Sequence, residues 1–337
     1  VSDEDALAAT VRALLAPGRG LLAADESLPT IGRRFEAAAI PATAENRRAY
    51  RELLVTTPGL SEFISGVILF DETLRQPLEG VAMAAALTRR GLVPGIKVDL
   101  GAKPLAGLPG ETFTEGLDGL RERLAEYRSL GARFTKWRAV ISIGDTLPTD
   151  GAIGANAEAL AIFAALSQEA GLVPVVEPEM LMGGAHSLER DAAVATAVLG
   201  RVFAALLRHQ VALEGMILKT GMILPGTACP QTATVAEVAA ATLRCLRRVV
   251  PAAVPGIVFL SGGQTEVEAT QRLNAIGAVA DTPWRLTFSF GRALQDSALT
   301  AWRGDPACVG AAQAALARRA RCNGLASQGR YDPGAEG

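Results

Sequence analysis

Lysine is scarce in this chain of 337 residues. Of its 33 basic residues only four are lysine (Lys97, Lys103, Lys136 and Lys219), which leaves 29 arginines. Arginine keeps its proton at any ordinary pH and cannot form an imine, whereas lysine can lose its proton and act as a nucleophile. The four lysines are therefore the first places to look for chemistry. Histidine is scarcer still, with only His186 and His209, so a His-rich zinc site is hard to build. An all-carboxylate magnesium site stays open on composition. The four cysteines, Cys229, Cys245, Cys308 and Cys322, contain no C-x-x-C pair and read as reduced thiols of a cytoplasmic enzyme. A net charge of −2 leaves no electrostatic footprint for nucleic acid or an anionic membrane. No uncharged apolar run reaches the roughly 18 residues of a membrane-spanning helix. The acidic start Val1-Ser2-Asp3-Glu4-Asp5 lacks the basic start and apolar core of a signal peptide. It also lacks an initiator Met, which fits processing or trimming.

Hydrophobic residues make up 49% of the chain, enough to argue against disorder. No Pro/Gly/Ser-rich linker or charge block divides it. Eight short β-rich runs recur instead, at 20–25, 66–71, 95–99, 133–138, 172–179, 215–219, 256–261 and 285–289. The stretches between them look helical. Positions 111–131 carry Leu117, Leu120, Leu124 and Tyr127 at helical spacing, with Gly131 as a stop. Further helices are expected over 152–171, over 188–213 with Ser187 as N-cap, and over 232–249. A pair is expected within 293–320, broken near Gly304-Asp305-Pro306. Strands alternating with helices imply parallel pairing through crossovers, and eight such units predict a (β/α)8 barrel. Residues 1–321 are read as that single domain, with extra N-terminal and C-terminal helices, and 322–337 as a C-terminal tail. A doubly wound open sheet is the rival. It would normally place a Gly-rich phosphate loop after its first strand, where this chain has Ala24-Asp25-Glu26-Ser27.

In such a barrel the chemistry sits where the strands end. Here those ends carry Asp25, Asp71, Lys97 with Asp99, Lys136 with Arg138, Glu177 with Glu179, Lys219, Ser261 and Ser289. Three of the four lysines are among them. Residues two apart on a strand share a face, so each of the three charged pairs is expected to point the same way, into the barrel, with Trp137 facing the helix layer. A satisfied polar plug would also explain paired charges, though not the concentration of lysines. Ser261-Gly262-Gly263 follows the seventh run and Ser289-Phe290-Gly291-Arg292 the eighth. Glycine admits close approach of backbone N–H groups to an anion, and barrel phosphate sites commonly use these two loops. An ordinary turn is the alternative for the first loop. Arg292 adds a charge-assisted contact to the second.

Lys219 closes the apolar run Met216-Ile217-Leu218. Poor solvation and neighbouring cations are expected to lower its pKa and expose a neutral amine. Such an amine attacks a ketone to give an imine, an electron sink for carbon–carbon cleavage. Glu177 is placed to donate the proton that dehydrates the carbinolamine, and Asp25 is a candidate base for the hydroxyl beside the breaking bond. These residues point to Schiff-base chemistry on a phosphorylated carbonyl compound and leave the carbon skeleton open.

With these motifs in hand, the sequence resembles the class I (Schiff-base) fructose-bisphosphate aldolases along nearly its whole length. The matching segments include APGRGLLAADES (16–27), GVILFDETL (66–74), GIKVD (95–99), KWR (136–138), VPVVEPE (173–179), EGMILK (214–219), FLSGGQTEVEAT (259–270) and TFSFGRALQ (287–295). The resemblance implies a (β/α)8 fold, no metal and no cofactor. It also implies reversible cleavage of fructose 1,6-bisphosphate to dihydroxyacetone phosphate and glyceraldehyde 3-phosphate, in glycolysis and gluconeogenesis. It makes Lys219 the imine-forming residue and gives Glu177 carbinolamine formation and dehydration, supported by Glu179. Asp25, assisted by Lys136, takes the C4 hydroxyl proton. Ser261, Gly262, Gly291 and Arg292 hold the 1-phosphate; Lys97 and Arg138 receive the 6-phosphate, with Arg34 in reach. It further implies a cytoplasmic homotetramer.

Several positions depart from the family pattern. Leu28-Pro29-Thr30 stands where many relatives have Thr-Gly-Ser, so a phosphate-contacting hydroxyl is expected to survive at Thr30. Thr220-Gly221 replaces Pro-Asn, Asp71 replaces a common His, and Lys103 reads as a loop lysine. Animal members end in a tyrosine that assists proton exchange at the dihydroxyacetone phosphate carbon. Here Tyr331 matches an upstream family tyrosine and is followed only by Asp-Pro-Gly-Ala-Glu-Gly. That step is therefore expected to fall to another group or to water, unless the chain is cut short. Three rivals remain: the same chemistry on another ketose phosphate such as sedoheptulose bisphosphate, a catalytically idle scaffold, and a metal-dependent aldolase.

Overall fold

The computed structural model describes residues 3–279 and 281–336. Val1 and Ser2 of the acidic start, Ala280, and Gly337 of the tail lie outside the described residues. Eight parallel strands close into a barrel: β1 (Gly20–Ala24), β2 (Ile64–Leu69), β3 (Val93–Lys97), β4 (Phe134–Ile141), β5 (Val173–Met180), β6 (Ile217–Thr220), β7 (Gly256–Phe259) and β8 (Arg285–Phe290). Each neighbours the next in sequence, and β8 returns to pair with β1 through Leu21 opposite Ser289. All eight runs expected from the sequence are strands of this barrel.

The helices, in chain order, are α1 (Asp3–Leu14), α2 (Leu28–Ala37), α3 (Ala44–Val55), α4 (Asp71–Arg75), α5 (Met83–Arg89), α6 (Leu120–Ser129), α7 (Asp150–Glu169), α8 (Leu188–Arg208), α9 (Val235–Val249), α10 (Glu266–Gly277), α11 (Arg292–Trp302) and α12 (Val309–Ala326). Ser187 caps α8 by accepting from the Arg190 amide at 3.2 Å. Thr234 begins α9 with a capping box closed by Glu237, which moves the start of that helix inward from 232. α8 stops at Arg208 because Gln210 takes a left-handed conformation (φ 54°). The break between α11 and α12 falls at Arg303 and Gly304, both left-handed.

The helix expected over 111–131 is about half the length read. The stretch 111–131 opens with an extended ribbon, Thr112–Thr114 against Ala102–Pro104, and α6 begins only at Leu120. Two threonines around Phe113 favour extended backbone, and Gly116 and Gly119 adopt positive φ that interrupts a helix. Lys103 stands exposed on this ribbon. At the other end, α12 passes position 321 without a break and ends at Ala326, and Tyr331 beyond it is buried.

Period-two alternation divides the core in two. Leu21, Ala23, Ile68, Phe134, Val173, Val175, Ile217 and Val258 point into the barrel, where Leu7, Val11 and Leu14 of α1 close its lower end together with Leu15. The alternate residues, Leu22, Ile96, Trp137, Val176, Leu218 and Phe288 among them, pack against the helices. Trp137 is fully buried and its ring lies 5.6 Å from that of Phe163 on α7, so it faces the helix layer as the alternation requires. Close packing of the lower barrel explains glycine at two strand positions. A Cβ on Gly95 would stand 2.2 Å from the Phe134 ring, and one on Gly256 2.5 Å from Leu15.

Candidate active site

Above the apolar side chains that fill the lower barrel lies a cluster of buried charged residues. Asp25, directly after β1, and Lys136, Glu177 and Lys219 on β4, β5 and β6 are all buried there. They form one chain of opposite charges. Lys219 Nζ lies 3.0 Å from Glu177 Oε1, Glu177 Oε2 lies 2.7 Å from Lys136 Nζ, and Lys136 Nζ donates to Asp25 Oδ2 at 2.9 Å. Lys219 therefore has a carboxylate partner, which reading its own strand did not reveal.

Burial works against ionising a carboxyl group. At Asp25 that penalty is overcome by the ammonium groups of Lys136 and then Lys219, which hold it down at about 2. Glu177 is likewise held below the usual carboxylate range, because Lys136, Lys219 and Arg138 outweigh its desolvation. Lys136 is pushed up despite burial, since Asp25 and Glu177 both stabilise its charge. The three groups are thus charged throughout the neutral range.

A second tier lies nearer the opening. Lys97 pairs with the Asp99 carboxylate and donates to the Asp99 carbonyl at 2.8 Å, while Asp99 also accepts from the Arg138 amide at 3.2 Å. The Arg138 guanidinium donates to Glu179. Lys97 with Asp99 and Arg138 with Glu179 are thus two ion pairs beyond the buried four charges. Every cation expected to meet a phosphate on this side is neutralised by a neighbouring carboxylate, so the resting mouth has the paired charges of a polar plug as well as the inventory of a reactive site.

On the opposite rim, Ser261 is buried after β7, and Gly262 follows at φ 58°. Glycine is required at 262 on two counts: the positive φ, and the Met182 Sδ that a Cβ would meet at 2.9 Å. Gly291 starts α11, and exposed Arg292 donates to the Gly262 carbonyl, tying the two loops together. The turn after β7 and the start of α11 are thereby joined, and a helix start beside a guanidinium is chemistry suited to an anion.

Two sequence expectations change. Arg34 makes its hydrogen bonds and ion pairs with Glu26, Gln295 and Asp296, so it is anchored to α11, on the Arg292 side of the mouth, and not beside Lys97 and Arg138. Asp71 does not join the mouth: it opens α4, pairs with Arg75 and accepts from Tyr127 at 2.9 Å on the helix side of the barrel. Thr30 lies in the first turn of α2, with its hydroxyl 3.1 Å from that of Ser27. Sequence reading also assigned no part to Glu26, which pairs with both Arg34 and Arg51. Nor did it give one to Ser289, whose buried Oγ has no hydrogen-bond partner among the described residues. The position of Ser289, two residues past inward Thr287, was the available signal. No cluster of three or more His, Cys, Asp or Glu with metal-holding geometry occurs among the described residues.

The chain is similar to known proteins along nearly its whole length. The family model for class-I fructose-bisphosphate aldolase matches residues 6–337. A probable fructose-bisphosphate aldolase class 1 from Xanthomonas axonopodis pv. citri is 53% identical, over 96% of this chain and 98% of that protein. Fructose-bisphosphate aldolase 5, cytosolic, of Arabidopsis thaliana is 50% identical over 99% and 93%. The crystal structure of fructose-bisphosphate aldolase from Plasmodium falciparum, in complex with TRAP and a small-molecule inhibitor, superposes with a TM-score of 0.96 at 48% identity. That match covers 98% of this chain and 96% of the other.

Proposed function

The chain belongs to the class I fructose-bisphosphate aldolase family, metal-independent carbon–carbon lyases of glycolysis, and from that premise we propose how its own residues carry the reaction. The observation that supports the reading best is the continuous ion chain from Lys219 through Glu177 and Lys136 to Asp25. It joins the residues to which we assign the parts of nucleophile, proton carrier and base in one buried network.

Lys219 hands a proton to Glu177 and, as a neutral amine, attacks the C2 ketone of fructose 1,6-bisphosphate. The alkoxide that forms takes the proton left on the attacking nitrogen, giving the neutral carbinolamine. Glu177, now carrying the proton, delivers it to the departing hydroxyl, water leaves, and an iminium remains. Asp25 takes the C4 hydroxyl proton, the C3–C4 bond breaks, and its electron pair passes into the iminium to give an enamine. Glyceraldehyde 3-phosphate leaves as the aldehyde half. Protonation at C3 and hydrolysis of the imine release dihydroxyacetone phosphate and restore Lys219. Lys136 stays cationic between Asp25 and Glu177 and stabilises whichever of the two is ionised. Glu179 holds Arg138 and so supports the same charge network.

Phosphate binding requires the second tier to exchange partners. The 1-phosphate sits against Ser261, Gly262, Gly291 and Arg292. The 6-phosphate draws Lys97 and Arg138 from Asp99 and Glu179, a charge-for-charge exchange that leaves no cation unpaired. Thr30 adds a hydroxyl, and Arg34 contributes from the α11 side. A cytoplasmic homotetramer is the assembly we propose on family grounds. No helix among the described residues is long and apolar enough to cross a membrane.

The decisive experiment is borohydride reduction in the presence of dihydroxyacetone phosphate, followed by peptide mass mapping. A covalent adduct is expected on the peptide containing Lys219. An adduct confined to Lys97, Lys103 or Lys136, or no adduct, overturns the assignment. EDTA is expected to leave turnover unchanged; a loss restored by zinc contradicts the metal-independent route.

A further inference from the structure

We infer that Asp191, on the first turn of α8 and outside the barrel, is a positioning residue that sets the 1-phosphate loop through the segment following Lys219. This rests on the proposed roles of Lys219 and of the Ser261-Gly262 turn.

The chain leaves β6 at Thr220 and runs inward of the helix layer, so that Met222, Ile223 and Leu224 are all buried. Two consecutive amides there, of Ile223 and Leu224, have left the sheet ladder and are shut off from water. A buried N–H needs a partner. Thr242 on α9 accepts from Ile223 at 2.9 Å, and the Asp191 carboxylate accepts from Leu224 at 2.8 Å. Asp191 is itself buried, at 5% exposure, and no arginine or lysine pairs with it among the described residues. A carboxyl group in such a place is costly, and the one hydrogen bond the structure gives it is to this loop.

The loop then reaches the phosphate turn by two routes. The Thr220 carbonyl accepts from the Leu260 amide at 2.9 Å, directly before Ser261. A small cavity lined by Met182, Asp191, Met222, Leu224, Ser261 and Gly262 separates Asp191 from the turn. Met182 forms its other wall, accepting from the Gly263 amide at 3.2 Å while its backbone carbonyl accepts from Thr227 at 2.8 Å. Removing the Asp191 acceptor frees the Leu224 amide beside this cavity and lets the wall behind Gly262 relax.

Steady-state kinetics of Asp191→Ala test this. KM for fructose 1,6-bisphosphate is expected to rise about tenfold, the effect of one lost buried acceptor, with kcat changed less than about threefold. An equal rise is expected for fructose 1-phosphate, which shares only the 1-phosphate contact. Asp191→Asn keeps an acceptor for Leu224 and is expected to restore most of the loss. Should Asp191→Ala fail to fold, Asp191→Ser carries the same test, because its hydroxyl is too short to reach the Leu224 amide. Unchanged KM in the alanine or serine variant overturns the inference, as does a fall in kcat alone or a failure of Asn to rescue. Borohydride trapping of the wild-type protein separates the two layers. If the adduct is not at Lys219, the underlying reading fails. If it is at Lys219 and KM does not move, this inference fails alone.

Discussion

Lys136 Nζ stands 2.7 Å from Glu177 Oε2, a contact between neighbouring strands β4 and β5 that the sheet register does not make directly. Opposite Lys136 in the ladder is Val175, and opposite Glu177 is Arg138. The ammonium reaches one inward step along the strand to find the carboxylate, and from the same position it meets Asp25 of β1 across the barrel. One cation thereby serves the residue assigned to imine formation and the residue assigned to bond cleavage.

Removal of that shared charge is expected to damage both halves of the reaction. In Lys136→Ala the buried carboxylates of Asp25 and Glu177 lose their common partner, and each raises the pKa of the other. A fall in kcat of about 10²–10⁴ is expected, together with a stability loss of roughly 3–5 kcal/mol from the orphaned charges. Turnover assays and urea unfolding measure the two effects. Wild-type kcat in this variant contradicts the shared-cation account.

Asp25→Asn separates cleavage from imine formation. The amide cannot accept the C4 hydroxyl proton, so cleavage is expected to slow by about 10²–10⁴. Lys219 and Glu177 keep their 3.0 Å contact, so borohydride is still expected to trap dihydroxyacetone phosphate on Lys219. Loss of trapping along with cleavage would place Asp25 in the imine step instead.

Two buried carboxyl groups give opposite pH signatures. Asp25 is lowered from 3.8 to about 2 by Lys136 and Lys219 against its burial. Its contribution, of about 2 kcal/mol, is present above pH 4 and is lost as pH falls towards 2. Asp191 is raised by burial, against the Leu224 amide, to about 7. Its contribution is greatest below pH 4 and is lost as pH rises through 7, where a charge must be held without a cation. The groups around it give no relief. Cys245 on α9 is a thiol that burial pushes up, His186 borders the same cavity, and the Arg190 guanidinium donates to the Gly144 and Leu147 carbonyls. The Tm advantage of Asp191→Asn over wild type is therefore expected to grow between pH 5 and pH 8. An equal gap at both pH values refutes this.

The helix-layer side of β4 offers a control on stability. Trp137 is fully buried against Phe163, and Trp137→Ala is expected to cost about 3–5 kcal/mol. Because its neighbours Lys136 and Arg138 lie on the other face, borohydride labelling of Lys219 in the folded variant is expected to persist. Loss of labelling while the variant remains folded would show that outer packing positions the inner charges.

Much of this was readable along the chain. The eight strands announced themselves as short apolar runs ending in a charged residue or, for the last two, a serine, and alternation put Lys136 and Arg138 on one face and Trp137 on the other. Those signals are local: a strand's side-chain period and a helix's capping residue are properties of a few consecutive residues. The ribbon at Thr112–Thr114 was missed because apolar spacing downstream imitated a helix, while the interruption lay in the backbone of Gly116 and Gly119. Asp71 was misplaced because, two residues past the end of β2, the chain had already turned into α4.

The sequence by itself determined the fold class and most of the residue inventory of the site, since both follow from periodicity and from the few lysines among many arginines. Only the tertiary structure decided who pairs with whom. The link from Lys219 to Asp25 joins four strands, Arg34 is claimed by α11, and Asp191 meets a loop 33 residues away. Such pairings depend on how the strands close into a barrel and on where the outer helices settle against it, and distances of that kind are not written in local spacing.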